Sequence, residues 1–138
     1  MDMANLPGYF LFFRPLRSRF GLSRIRCAAC TGPATNPEDF RLLQAVGVDL
    51  RPAFVIPEAG VIAGEGKEEI DFAAVGRPTV NTEIRISTGG ELLVRGDSLF
   101  SGYQGDAQKT AAVLIDGWLH TGISGEIDGK GQLILKGK

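Results

Sequence analysis

The sequence has few of the residues that mark secreted, metal-binding or membrane-spanning chains. Its 138 residues include two cysteines and one histidine, and its net charge at pH 7 is −1. A disulfide framework needs several cysteines, and a nucleic-acid-binding domain carries a clear basic excess on one face. The longest apolar run, residues 9–13, is far shorter than the roughly 20 residues of a transmembrane helix. The composition predicts a cytoplasmic chain with no nucleic-acid partner.

The two cysteines form a Cys-x-x-Cys pair at Cys27 and Cys30. Such a pair could be a redox centre or half of a zinc site. A zinc site needs about four ligands, and the single histidine, His120, is far along the chain. We therefore interpret both cysteines as small buried apolar residues.

Residues 9–20 combine near-helical apolar spacing with three arginines. The pattern predicts a short amphipathic helix, with Pro15 either starting or bending it. A basic amphipathic helix could bind an anionic membrane surface peripherally. A helix that packs one face on a core and points its arginines outward has the same pattern, so both alternatives stay open.

The first half, residues 1–63, has the order of an α/β unit. Residues 24–30 predict a strand, and a helix follows with Pro37 at its first position and Gly47 at its end. The apolar residues between 48 and 56 predict the next strand. Strand, helix and strand in this order are typical of a parallel α/β sheet.

The second half, residues 72–138, predicts short antiparallel strands, joined to the first half by a polar linker at 64–71. Apolar and polar residues alternate on both sides of the turn Thr88-Gly89-Gly90, which predicts a hairpin. A helix is predicted over 106–115, and Trp118 is interpreted as a core residue. We expect this half to form a small, distorted antiparallel β-barrel.

From residue 75 onward, a series of motifs resembles the adenylate-forming superfamily, in the family's order and close to its spacing. The superfamily includes acyl-CoA synthetases, luciferases and peptide-synthetase adenylation domains. The motifs are Val75-Gly76-Arg77-Pro78, Glu83-Ile84-Arg85-Ile86, Gly90-Glu91-Leu92-Leu93-Val94-Arg95-Gly96, Phe100-Ser101-Gly102-Tyr103, Lys109-Thr110-Ala111, Asp116-Gly117-Trp118-Leu119-His120-Thr121-Gly122 and Gly125-Glu126-Ile127-Asp128.

The resemblance extends upstream over nearly all of the chain. Thr31-Gly32-Pro33-Ala34 resembles the family's Ser-Gly-Gly-Ala-type turn, and Phe54-Val55-Ile56-Pro57-Glu58 falls where the family has Tyr-Gly-x-Thr-Glu. The chain thus resembles the last part of the large N-terminal region of an AMP-forming acyl-CoA synthetase, of the long-chain fatty acid–CoA ligase type.

The resemblance implies a two-step reaction. A carboxylate attacks the α-phosphate of ATP to give an acyl-adenylate and pyrophosphate, and coenzyme A then displaces AMP to give a thioester. The implied partners are a fatty acid and a nucleotide, and the implied cofactors are ATP or AMP, Mg²⁺ and coenzyme A. Such phosphate chemistry depends on charge neutralisation by Mg²⁺ and basic groups.

Site residues follow from the resemblance by position. Glu58 would be the Mg²⁺-linked carboxylate, an oxygen ligand suited to a hard cation. Phe54 would stack on the adenine in place of the family's tyrosine. The backbone of Gly32 and Pro33 would lie against the base, where glycine permits a close approach.

Three positions depart from the family's pattern. Pro57 replaces a threonine whose hydroxyl meets the phosphates, and proline also lacks a backbone N–H. Ile123 replaces the aspartate that holds the ribose hydroxyls, which we expect to weaken ATP binding by about tenfold or more. Val55 replaces a glycine beside the stacking aromatic residue.

Two family elements are not found in the sequence. There is no phosphate loop ending in Pro-Lys-Gly, and the sequence stops at Gly137-Lys138, where the family's hinge leads to a C-terminal domain with a catalytic lysine. We expect no ligase activity from the isolated chain. The alternatives are a non-catalytic remnant and a module that binds a nucleotide or a partner.

Overall fold

The chain folds as a mixed α/β protein with two β-sheets, which confirms the predicted fold class. Strands make up most of its regular structure. Gly32 and Pro33, the predicted adenine-contacting turn, lie outside the described residues. The computed structural model describes residues 13–31, 37–64 and 74–136.

The described residues form two compact units. Residues 13–30 and 37–51 belong to the first unit, and Thr31 together with residues 52–64 and 74–136 belongs to the second. Residues 65–73 are not described, so the linker predicted at 64–71 stays a prediction.

The first unit is built around one helix that follows a short strand. Proline lies in the first turn of α1, which agrees with Pro15 starting this helix. Four apolar residues that belong to α2 or follow it are buried: Phe40, Val46, Val48 and Leu50. The elements of this unit are α1 (Arg14–Arg19), a 3₁₀ helix (Leu22–Arg24), β1 (Ala28–Cys30), α2 (Pro37–Ala45) and the start of β2 (Leu50–Ile56).

The strand predicted over residues 24–30 is shorter than expected. Gly21 adopts a left-handed conformation with φ 71°, and the chain then turns into the 3₁₀ helix. The Nε of Arg17 donates a hydrogen bond of 2.9 Å to the carbonyl of Leu22, which stabilises this turn. The prediction that both cysteines are buried is also wrong, because Cys27 is exposed and Cys30 is half-buried, both as free thiols.

The second unit contains the remaining strands, all paired antiparallel. β2 pairs with β3 and β3 with β4, while the larger sheet has the order β5-β6-β8-β7 with β9 paired to β8. The elements are β3 (Gly60–Gly64), β4 (Arg77–Pro78), β5 (Thr82–Ile86), β6 (Glu91–Gly96), α3 (Ala107–Val113), β7 (Leu114–Ile115), β8 (Trp118–Ile127) and β9 (Leu133–Leu135).

The hydrophobic core of the second unit joins its two sheets. Ile62 of β3, Leu92 of β6 and Leu133 of β9 are completely buried and pack in one cluster with Phe54. The hairpin predicted around Thr88-Gly89-Gly90 is confirmed, because β5 and β6 pair in register from Thr82↔Gly96 to Ile86↔Leu92. Half-buried and fully buried side chains alternate along the first four residues of β6, as period-2 patterning requires.

Trp118 is not a core residue, contrary to the prediction. It lies on β8, half-buried, and its ring contacts two guanidinium groups. The Cζ of Arg85 is 4.5 Å and that of Arg95 is 4.6 Å from the ring centroid. Cation–π attraction of this kind stabilises by about 0.5–1 kcal/mol at exposed sites. We call this arrangement the Arg–Trp–Arg stack.

Asp128, in the turn between β8 and β9, is expected to make the stability of the fold depend on pH. The backbone N–H groups of Gln132 and Lys130 each donate to Asp128 Oδ1 at 2.8 Å. The bond from Gln132, followed by that from Lys130, lowers the pKa of Asp128 below its ordinary value. A carboxyl group with a depressed folded-state pKa stabilises the fold above its unfolded pKa of about 4, and this contribution is lost as the pH falls further.

We therefore expect Asp128→Asn to lose less stability in acid than the wild type does. The reason is that asparagine keeps the acceptor oxygen but has no charge that acid can neutralise. The measurement is the thermal unfolding midpoint of both proteins between about pH 2 and about pH 6. Parallel curves for the two proteins over that range would contradict this assignment.

Candidate functional site

The carboxylate that resembles a metal-linked residue lies at the tip of a hairpin. Residues 57–59 form the turn between β2 and β3, where the N–H of Ala59 donates to the carbonyl of Ile56 at 3.2 Å. Gly60 then takes φ 67°, a left-handed conformation that suits glycine. Glu58 is half-buried at this tip.

A second segment of the chain holds Glu58 at two points. The hydroxyl of Tyr103 donates to Glu58 Oε1 at 2.8 Å, and the backbone N–H of Phe100 donates to the Glu58 carbonyl at 2.8 Å. The rings of Phe100 and Tyr103 meet edge to face with centroids 4.9 Å apart. Tyr103 belongs to the motif Phe100-Ser101-Gly102-Tyr103, but the motif alone predicted no role for it.

The beginning of α3 fixes Tyr103 in turn. The backbone N–H of Tyr103 donates to Thr110 Oγ1 at 2.9 Å, and the Thr110 hydroxyl donates to the Asp106 carbonyl at 2.9 Å. Asp106 caps the helix by accepting from the Lys109 N–H at 2.8 Å. The Lys109 ammonium lies 4.4 Å from the centroid of the Tyr103 ring. We call Glu58, Phe100, Tyr103, Lys109 and Thr110 the Glu58–Tyr103 cluster.

The Glu58 carboxylate changes the acidity of its partner. Its hydrogen bond, followed by desolvation, raises the pKa of Tyr103 above the ordinary value for a phenol. The phenol is therefore protonated at neutral pH and acts as a donor. Glu58 Oε1 accepts this bond, and the second oxygen, Oε2, takes no part in it.

The neighbouring positions on β2 differ in exposure. Phe54 is 7% exposed and belongs to the core cluster, whereas Val55 and Pro57 are exposed. Adenine stacking by Phe54 stays a prediction. Val55 pairs with Val61 across β2 and β3, so two apolar side chains are exposed side by side next to the Glu58 turn.

Ile123, which the resemblance predicts to lie at the family's ribose position, is on β8 just after a sharp bend. Gly122 has φ 67°, and its N–H donates to Glu91 Oε1 at 2.8 Å. The Ile123 N–H donates to Thr121 Oγ1 at 3.2 Å, and the Ile123 side chain packs against the core cluster. Isoleucine thus fills a half-buried apolar place beside the core.

Glu91 orders the bend at Gly122, a role that the sequence motifs did not indicate. It accepts from the Gly122 N–H through one oxygen, and its other oxygen, Oε2, lies 3.1 Å from His120 Nδ1. His120 therefore has a structural partner on β6. Glu91 is 29 and 31 residues from His120 and Gly122 in sequence, a separation that no local pattern reveals.

An open cavity of about 610 Å³ lies elsewhere, at the end of the β5–β6 hairpin. Its one basic residue, Arg95, is already paired with Glu83 at 2.5 Å. None of the predicted site residues lines it, so we do not place the site there. Its lining residues are Asn81, Thr82, Glu83, Arg95, Gly96 and Asp97.

The described part of the chain shows neither a cluster of metal ligands nor a membrane-spanning helix. Residues 13–31, 37–64 and 74–136 contain no group of three or more His, Cys, Asp or Glu side chains placed to hold a metal ion. Within those ranges, no helix combines the length and hydrophobicity that crossing a bilayer requires. Leu16 and Phe20, from the predicted amphipathic segment, are 43% and 69% exposed, and membrane contact through them stays a prediction.

Comparison with characterised proteins gives consistent relatives, although no family model matches the chain. It is 37% identical over 89% of its length to 3-[(3aS,4S,7aS)-7a-methyl-1,5-dioxo-octahydro-1H-inden-4-yl]propanoyl:CoA ligase of Mycobacterium tuberculosis, covering 26% of that protein. It is 31% identical over 93% of its length to a long-chain-fatty-acid–CoA ligase of Mycobacterium bovis, covering 21% of it. The chain therefore spans about a fifth to a quarter of these relatives.

Solved structures agree with the sequence relatives. The chain matches the amide bond synthetase McbA of Marinactinospora thermotolerans with a TM-score of 0.77 and 30% identity, over 94% of this chain and 29% of that one. It matches o-succinylbenzoate coenzyme A synthetase of Bacillus subtilis, solved with ATP and magnesium ion, with a TM-score of 0.69 and 22% identity, over 80% of this chain and 26% of that one. The second match shows the fold alone. Together these similarities confirm the resemblance that the motifs predict.

Proposed function

We propose that this chain, a homologue of one part of the AMP-forming acyl-CoA synthetases in the adenylate-forming superfamily, contributes the Mg²⁺- and nucleotide-contacting segment of a fatty acid–CoA ligase. The proposed activity of the whole protein is activation of a fatty acid by ATP and its transfer to coenzyme A. In this proposal the chain's own contribution is to hold a carboxylate beside the phosphates of the nucleotide.

The observation that carries the proposal is the meeting of two motifs in space. Glu58, from the motif that resembles Tyr-Gly-x-Thr-Glu, accepts a hydrogen bond from Tyr103, from the motif Phe-Ser-Gly-Tyr. These residues are 45 positions apart. Since each motif was identified separately in the sequence, their contact supports one shared site rather than two unrelated surface features.

The residues present fit a magnesium ion that arrives with a nucleotide. Mg²⁺ is usually bound by one or two carboxylates together with substrate phosphates and water, rather than by a dedicated protein cage. Glu58 offers one carboxylate oxygen outside its bond to Tyr103, and no second acidic ligand is required. The ion, when bound, would neutralise charge on the phosphate oxygens.

The acyl substrate is the second part of the proposal. Val55 and Val61 pair across β2 and β3 beside the Glu58 turn, and they are 38% and 49% exposed. An apolar surface next to the proposed Mg²⁺-binding carboxylate suits the chain of a fatty acid. No residue is assigned to coenzyme A.

Ile123 also favours a second candidate function, in which the chain binds a nucleotide or a partner but catalyses no reaction. Its side chain packs against the core cluster instead of offering a carboxylate, and Pro57 supplies neither hydroxyl nor N–H beside Glu58. We infer that nucleotide binding is weak in this chain. A non-catalytic remnant or a nucleotide- or partner-binding module would show the same weak binding.

The proposal is tested by the effect of Mg²⁺ on ATP affinity. We expect Mg²⁺ to tighten ATP binding to the chain, and we expect Glu58→Gln to abolish this gain, at a cost of about tenfold in Kd, because the amide no longer attracts the cation. Isothermal titration calorimetry with and without Mg²⁺ measures both quantities. The matched control is Glu126→Gln, which removes the same charge from an exposed pair with Lys136. Equal Mg²⁺ gains in all three proteins would contradict the proposal.

A further inference from the structure

We propose that Tyr103 is a positioning residue that orients the second carboxylate oxygen of Glu58 toward the Mg²⁺ ion that a nucleotide would bring with its phosphates. This inference rests on the proposed function and deepens it. It assigns a role to a residue that would not itself touch the substrate but would act through Glu58.

Hydrogen bonds fix Glu58 at its backbone carbonyl and at its side-chain carboxylate. Its backbone carbonyl accepts from the Phe100 N–H, and its Oε1 accepts from the Tyr103 hydroxyl, both at 2.8 Å. A glutamate on a hairpin turn normally samples several rotamers. With Oε1 held by the phenol, rotation of the carboxylate is restricted and Oε2 keeps one direction.

Tyr103 is itself held on three sides. Its N–H donates to Thr110 Oγ1 at 2.9 Å, its ring meets Phe100 edge to face, and the Lys109 ammonium lies over its ring at 4.4 Å. Gly102, just before it, has φ 141°, and a Cβ there would lie 2.8 Å from Thr110 Cγ2. The glycine of the motif therefore permits the close approach that places the phenol.

Partners that orient a ligating side chain commonly affect metal affinity by about 10- to 100-fold. The alternative is a purely structural tie between the β2–β3 turn and the segment before α3. That alternative predicts a loss of stability in a variant without the hydroxyl, but no change that depends on Mg²⁺.

The test is Tyr103→Phe, which removes only the hydroxyl and keeps the ring contacts with Phe100 and Lys109. We expect ATP affinity without Mg²⁺ to stay within about twofold of the wild type. With Mg²⁺, we expect the affinity for ATP to fall by about fivefold. This effect is smaller than in a metal site made of protein ligands alone, because the phosphates of ATP also bind the ion. The double variant Glu58→Gln/Tyr103→Phe should match Glu58→Gln alone, because Tyr103 acts only through Glu58.

A matched control removes a different hydroxyl in the same unit. Thr79 Oγ1 donates to the Val61 carbonyl at 2.9 Å and lies 3.0 Å from Thr82 Oγ1. Since Thr79 does not orient the Glu58 carboxylate, Thr79→Val should leave the Mg²⁺ gain unchanged. Circular dichroism establishes that each variant is folded before titration. A Mg²⁺ gain that is lost in Glu58→Gln but intact in Tyr103→Phe overturns this inference and leaves the proposed function standing. Absence of a Mg²⁺ gain in the wild type overturns both.

Discussion

Replacing Ile123 by aspartate is expected to tighten ATP binding to this chain by about 30-fold, the equivalent of about 2 kcal/mol. The reason is that an aspartate on β8 would accept hydrogen bonds from the ribose hydroxyls, which isoleucine cannot do. The bend that presents this position is already formed, because Glu91 holds the Gly122 N–H at 2.8 Å. The substitution also removes an apolar side chain from the edge of the core cluster, so some loss of stability accompanies the gain in affinity.

The sugar itself provides the control for this prediction. The gain should disappear when ATP is replaced by its 2′,3′-dideoxy analogue, which keeps the base and the phosphates. Ile123→Leu should bind both nucleotides as the wild type does, because leucine adds no acceptor. An equal gain with the dideoxy nucleotide would show that the new carboxylate acts elsewhere than on the ribose.

Leu92→Ala should lower the free energy of unfolding of the second unit by about 3 kcal/mol. Leu92 is completely buried on β6, in the cluster that joins the two sheets of this unit. Truncating a buried leucine loses the transfer free energy of the removed groups and leaves a cavity, with typical costs of about 2–5 kcal/mol. Urea unfolding followed by circular dichroism measures the change.

Val80→Ala is the matched control for the core substitution. Val80 is 91% exposed in the turn before β5, so its truncation should change stability by less than about 0.5 kcal/mol. If the two variants proved equally stable, Leu92 would not be packed as the structure describes.

Local patterns in the sequence predict the local parts of this fold. The β5–β6 hairpin follows from alternation around Thr88-Gly89-Gly90, and α2 begins at Pro37, as proline at the first helical position indicates. The prediction of the first strand was wrong at its beginning, where the chain forms a 3₁₀ helix instead. The bond from Arg17 to the Leu22 carbonyl lies next to the turn that replaces the beginning of the predicted first strand.

The contacts within the candidate site could not be predicted from the sequence, because its two central residues are far apart along the chain. The position of Glu58 follows from the motif around it, but its partner Tyr103 is 45 residues away, and no periodicity links a turn carboxylate to a phenol at that distance. Trp118 was misjudged for a related reason. A tryptophan in a strand suggests core packing, whereas here two arginines on neighbouring strands cover its ring.

The Arg–Trp–Arg stack gives this protein an internal optical probe. Trp118 is the only tryptophan in the sequence, so intrinsic fluorescence at tryptophan wavelengths reports on the second unit alone. Separation of the two guanidinium groups from the indole on unfolding would alter its emission. Circular dichroism, by contrast, follows helices that belong mainly to the first unit together with the strands of both. Coincidence of the two signals during denaturation would show that the units unfold together, and separate transitions would show that each is an independent cooperative structure.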